Sequence, residues 1–87
     1  MNDKEVNQFA SRISRKLNKT CCYLAIILND EGYDIEVESN ADTIVGTFAT
    51  GISSLKTARK IADAMETALK SHGIKVASTR QAWERYI

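Results

Sequence analysis

The sequence predicts an α+β domain: α-β-β-β-α with a three-stranded antiparallel meander, followed by a short strand and a short C-terminal helix. Three observations carry this. Two segments, 3–18 and 53–73, place apolar residues at helical spacing. Between them lie three strand-length segments separated by turn residues. The 87-residue chain has no proline and no repeat or low-complexity tract to divide it, so residues 1–87 read as a single domain.

Helix one is expected over residues 3–18. Val6, Phe9, Ala10, Ile13 and Leu17 share one face. Asn2 or Asp3 caps its start, and Asp3 and Glu5 suit the positive end of the helix dipole. Arg12, Arg15, Lys16 and Lys19 gather at the other end, where cations complement the dipole.

Thr20–Leu28 is a continuous apolar run of strand length. Such a strand needs cover on both faces. One face takes the two helices; the other needs the C-terminal segment or a second subunit. That requirement makes a homodimer, through the open face or a sheet edge, an expected state. Asn29-Asp30-Glu31-Gly32 reads as a turn. Tyr33–Glu38 alternates, with Tyr33, Ile35 and Val37 facing one way and Asp34, Glu36 and Glu38 the other, towards solvent. After the turn at residues 39–42 comes the third strand, Thr43–Ala49. Ile44, Gly46 and Phe48 are placed on one side, Val45 and Thr47 on the other, and Gly46 marks a bulge or a close backbone approach.

The main helix is the longest periodic segment. Leu55, Ala58, Ala62, Met65, Leu69 and His72 form its core stripe, widened by Ile61 and Ala68. Ser53 is the expected N-cap and Gly73 the C′ residue. Arg59–Asp63 and Glu66–Lys70 stand at i, i+4 on the polar side. Ile74–Ala77 follows as a short strand. A closing helix is expected from about Thr79 to Ile87, started by a Ser78/Gln81 capping box, with Ala82, Trp83, Tyr86 and Ile87 packing on the core.

Composition excludes several classes. The apolar share of 44% is that of a globular chain. No run of eighteen apolar residues exists, and the N-terminus lacks a signal-peptide core. Adjacent Cys21 and Cys22 point to opposite faces of a strand, which fits a reducing, cytoplasmic location. The single histidine, His72, reads as a partly buried residue at a helix end. No zinc spacing, oriented Cys–His pair or phosphate-binding glycine loop is present, so neither an enzyme nor a metal or cofactor protein is expected.

The net charge of +1 conceals a separation. Residues 20–55 carry six acids and no Lys or Arg, whereas residues 1–19 sum to +3 and residues 56–87 to +4. Such asymmetry bears on partners and encounter rates. The acids Asp30, Glu31, Asp34, Glu36, Glu38 and Asp42 form a candidate face for a protein partner with a basic surface. A small inhibitor of a nucleic-acid-binding host protein, encoded by a phage or mobile element, is one form of such a module. At the start of the main helix, Lys56, Arg59 and Lys60 join free backbone N–H groups where an anion is favoured.

Tyr33–Ala62 also resembles the second half of a double-stranded-RNA-binding domain. Two strands and a glycine-containing entry lead to Ser54-Leu55-Lys56-Thr57-Ala58-Arg59, which is similar to that family's Ser-Lys-Lys-x-Ala-Lys helix start. The resemblance covers about a third of the chain. It implies phosphate contact at Lys56 and Arg59, to which Lys60, Arg12, Arg15 and Lys16 would add charge, and so nucleic acid as an alternative partner. Two positions depart from the family pattern. Leu55 stands at one of the paired lysines, and the loop that enters the RNA minor groove, Gly-Pro-x-His in the family, is here the acidic 29–32 turn. Carboxylates facing a polyanion are unfavourable, which places the protein-docking reading first.

Overall fold

The structure is a computed structural model, and it describes residues 3–17, 20–40 and 43–83. The elements are α1 (Asp3–Lys16), β1 (Cys21–Asn29), β2 (Gly32–Asn40), β3 (Thr43–Ile52), α2 (Leu55–Ser71) and β4 (Lys75–Trp83). The expected α-β-β-β-α order and antiparallel meander are present. The strands form one mixed sheet in the order β3-β2-β1-β4, with β4 parallel to β1. Both helices lie on one face, and the 17 Å short dimension leaves room for two layers only.

Local chemistry explains the boundaries. α1 carries Asp3 and Glu5 in its first turn and Arg15 and Lys16 in its last. The N-cap of α2 is Ser54, one residue beyond the expected Ser53. Its Oγ accepts the Thr57 N–H at 3.2 Å and donates to Thr57 Oγ1 at 2.9 Å. The far end of α2 is a Schellman motif. Gly73 takes φ +79° at C′, its N–H donates to the Lys70 carbonyl, and the Ile74 N–H donates to the Leu69 carbonyl. Buried Ile74 and Leu69 supply the accompanying apolar contact.

The core sits between the layers. Val6, Phe9, Ala10 and Ile13 from α1 and Ala58, Ala62, Met65, Ala68 and Leu69 from α2 cover Cys22, Leu24, Ile26, Ile35 and Val37. Gly46 is a close approach: a Cβ there would stand 3.0 Å from Ile13 Cδ1 and 3.1 Å from Phe9 Cζ. The Phe9 and Phe48 rings meet beside it, with centroids 5.0 Å apart.

Several expectations are corrected. The closing helix is absent over the described residues 79–83, which continue β4 instead; the rest of that segment lies outside the described residues. Ser78 and Gln81 are therefore exposed strand residues and not a capping box. Pairing with β1 outweighs the helical pattern, because Leu24–Leu28 offers a buried strand edge with five consecutive partners, Thr79–Trp83. Trp83 is not core: it remains 74% exposed. His72 is likewise exposed, at the C-cap of α2 and not on its packed side. On β3 the alternation breaks. Register irregularities between β2 and β3 turn Ile44 outward, where it pairs with Glu38 and is 55% exposed, while Val45 packs against the core.

Candidate functional site

The sheet face opposite the helices is the molecule's one broad unlayered surface among the described elements. Strand parity brings Tyr23, Ala25 and Ile27 of β1, Asp34, Glu36 and Glu38 of β2, Thr47 of β3, and Arg80 and Ala82 of β4 to that side. The alternation of β2 therefore holds as expected, but its carboxylates do not form a uniformly solvated row.

Glu38 is buried, at 3% exposure, against the expectation of a solvent-facing acid. Its two oxygens accept a fork from Arg80: Nη2 to Oε2 at 2.8 Å and Nε to Oε1 at 3.2 Å. In the register Glu38 stands beside Tyr23 and Arg80 beside Ala25, so the ion pair runs diagonally across β1 from β2 to β4. This bidentate geometry is what lets a carboxylate be buried without the cost of an orphan charge. Ala25 is fully buried, although neither helix covers this face.

Asp34 is also engaged. Its Oδ1 accepts the Gly51 N–H at 3.1 Å and its Oδ2 accepts from Asn29 Nδ2 at 2.9 Å, tying the end of β3 to the β1–β2 turn. Asn29 Oδ1 in turn accepts the Glu31 N–H at 2.9 Å, an Asx turn. Asp30 and Glu31 are left exposed at the tip, and Glu36 is half-buried between them and Glu38. Asp42 lies outside the described residues. The structure thus brings Asp34, Glu36 and Glu38 to one face, with Asp30 and Glu31 at its end. The apolar members of that face most open to solvent are Tyr23, at 36%, and Ile44.

The basic set is divided. Lys56, Arg59 and Lys60 are exposed in the first two turns of α2. With the Gln81 amide turned so that both partners are satisfied, its carbonyl oxygen accepts from Arg59 Nη2 at 2.8 Å and Nε at 3.1 Å. Arg59 is therefore clasped to β4, and neither the Arg59–Asp63 nor the Glu66–Lys70 pair is closed among the described residues. Asp3 and Val6 line one groove with Thr57 and Lys60 and another with Ala64 and Thr67, so α1 begins alongside α2. Arg15 and Lys16 stand at the other end of a 14-residue helix, roughly 20 Å away at 1.5 Å per residue. Arg12 stacks over the Phe9 ring at 5.5 Å. The acidic turn sits at the same end of the sheet as the start of α2, since a Cβ at Gly32 would touch the Ile52 carbonyl just before the Ser54 cap.

Sequence reasoning missed Arg80 and Gln81. Their signal is strand parity from residue 79 onward, which the helical reading of that segment hid. Among the described residues no group of three or more His, Cys, Asp and Glu is arranged to hold a metal ion. No described helix is long and apolar enough to cross a membrane. The chain matches no family model, no curated protein and no solved structure.

Proposed function

We propose that the protein is a small non-catalytic binding module that docks on a protein with a basic surface. The face it uses is the open side of β2, with Glu36, the Asp30–Glu31 tip and the flanking Tyr23 and Ile44. The observation that supports this reading is the uncovered sheet face itself: half-buried Glu36 and the exposed Asp30–Glu31 tip beside an exposed aromatic and an exposed aliphatic residue. Such a surface combines apolar anchors with charge that speeds encounter. A basic groove of a nucleic-acid-binding protein is a fitting counterpart, and occupying it would inhibit that protein. A reducing, cytoplasmic setting suits the two free thiols.

The test uses substitutions that spare the structural carboxylates Asp34 and Glu38. Partners captured by the wild-type chain should be lost by an Asp30→Lys/Glu31→Lys/Glu36→Lys variant and displaced by heparin. Equal retention by both forms overturns the reading. Polarisation against labelled duplex RNA and DNA at low and high salt runs beside it. Tight binding that weakens steeply with salt, and is lost on Lys56→Glu/Lys60→Glu, would instead establish nucleic acid as the partner.

A further inference from the structure

We propose that the outer edge of β4 is a strand-addition site for an acidic, extended peptide segment of another protein. The edge is unpaired: β4 ends the sheet order, and no described strand lies beyond it. Sheet edges are normally blunted by proline, bulges, charged side chains or short length. β3, at the other edge, is broken by register irregularities at several points. β4 is nine residues long and has one irregularity, between Val76 and Thr79; beyond it, from Thr79 to Trp83, the strand pairs with Leu24–Leu28 without a break. A regular inner ladder leaves an equally regular outer row of N–H and C=O groups.

α2 runs back alongside β4, and the two enclose a groove of about 480 Å³ at the start of the strand, lined by Glu66, Lys70, Ile74 and Lys75. A second hollow of about 280 Å³ lies over the inner side of the strand's far end, where Leu55 and Gln81 meet Ile26, Tyr33 and the exposed Trp83. In strand addition the main chain gives affinity and a pocket beside the edge gives side-chain specificity. Charge selects the occupant. Between residues 56 and 83 the chain carries six bases and two acids, and β4 itself carries Lys75 and Arg80 with no acid. Arg80 turns to Glu38 on the open face, and in the groove the two cations Lys70 and Lys75 stand against the single carboxylate of Glu66. This site lies across the sheet from the β2 face and does not depend on what that face binds.

The probes are three labelled eight-residue peptides, alternating Val with Glu, Ser or Lys, measured by polarisation against the full chain. The Glu–Val peptide should bind about tenfold more tightly than the Lys–Val peptide and shift the Trp83 emission. Two further Glu–Val peptides carry N-methyl groups on alternate residues in opposite phase. Strand addition uses the N–H groups of one phase only, so one peptide should lose binding and the other keep it. Lys70→Glu/Lys75→Glu should abolish the acidic preference with the melting temperature retained; the N-methyl comparison on the wild-type chain stands even where that variant fails to fold. Equal binding of both N-methyl phases, or of acidic and basic peptides, overturns the proposal. So does a chain that sediments as a dimer with its β4 amides protected before any peptide is added, since a second copy then holds the edge.

Discussion

Arg80 and Glu38 lie 42 positions apart in sequence and close a bidentate ion pair over the strand between them. The pair fastens β4, which runs parallel to β1, to the antiparallel meander. Glu38 is buried and the Arg80 side chain is 46% exposed, so the two ends respond differently to truncation. Arg80→Ala leaves a carboxylate desolvated without its partner and should destabilise the fold by about 2 kcal/mol, below the fully buried range because water reaches the vacated site. Glu38→Ala leaves a half-exposed guanidinium that water can solvate, and should cost less. A double-mutant cycle by urea denaturation measures the coupling, and additive single effects would show that the pair contributes nothing.

The adjacent cysteines divide along the same sheet. Cys22 faces the helices and is buried; Cys21 faces the other way and is partly exposed. Burial, and secondarily the neighbouring Cys21, pushes the Cys22 thiol up to about 11. Native protein at mildly alkaline pH should therefore release one equivalent of thionitrobenzoate quickly and a second only on unfolding. An ordinary thiol ionises at about 8.5, so above that pH the unfolded chain loses the Cys22 proton while the folded chain keeps it. Stability supplied by the neutral, buried thiol is complete below the unfolded pKa and declines as pH rises towards about 11. Cys22→Ala should flatten that decline in denaturation midpoints measured across the alkaline range.

The meander and both helices were legible because their signals are local. The stripe of α2 and the alternation of Tyr33–Glu38 each follow from spacing within one element. What was not legible depends on which strand a segment meets. Thr79–Trp83 reads as the start of a helix on its own and becomes strand by pairing with Leu24–Leu28, over fifty positions away. Glu38 reads as solvated because its partner sits on that misread segment. The acidic face was thus found in outline, while the structural duties of Asp34 and Glu38 within it required tertiary contacts to see.

The glycines give a graded test of backbone against side-chain crowding. Gly32 holds φ +126°, and a Cβ there would lie 2.5 Å from the Ile52 carbonyl oxygen, a backbone atom with little freedom to retreat. Gly32→Ala should cost about 3 kcal/mol or more, combining strain with a clash. At Gly46 the obstacles are the ends of Ile13 and Phe9, so Gly46→Ala should cost about 1–2 kcal/mol by overpacking. Gly73 has φ +79° with open space around it, and Gly73→Ala should cost only about 1 kcal/mol. Thermal or urea melts rank the three, and a Gly73 variant worse than the Gly32 variant would refute this account of the β1–β2 turn.

Trp83 is the only tryptophan, so its fluorescence reports one site. At 74% exposure its emission should lie close to that of the unfolded chain, and acrylamide should quench it nearly as well as free indole. Trp83→Ala removes little packed surface and should change stability by no more than about 0.5 kcal/mol. Deleting residues 79–87 is a different operation. It removes Arg80, leaves Glu38 buried without its fork, and turns the apolar strand β1 into a bare edge beside Leu24 and Ile26. That truncation should cost several kcal/mol, a large share of the margin of so small a domain. The contrast locates the stabilising role of the C-terminal segment in its strand pairing and in Arg80. A point substitution of Trp83 as damaging as the truncation, together with a blue-shifted native emission, would return the tryptophan to the core and remove it from the β4 edge.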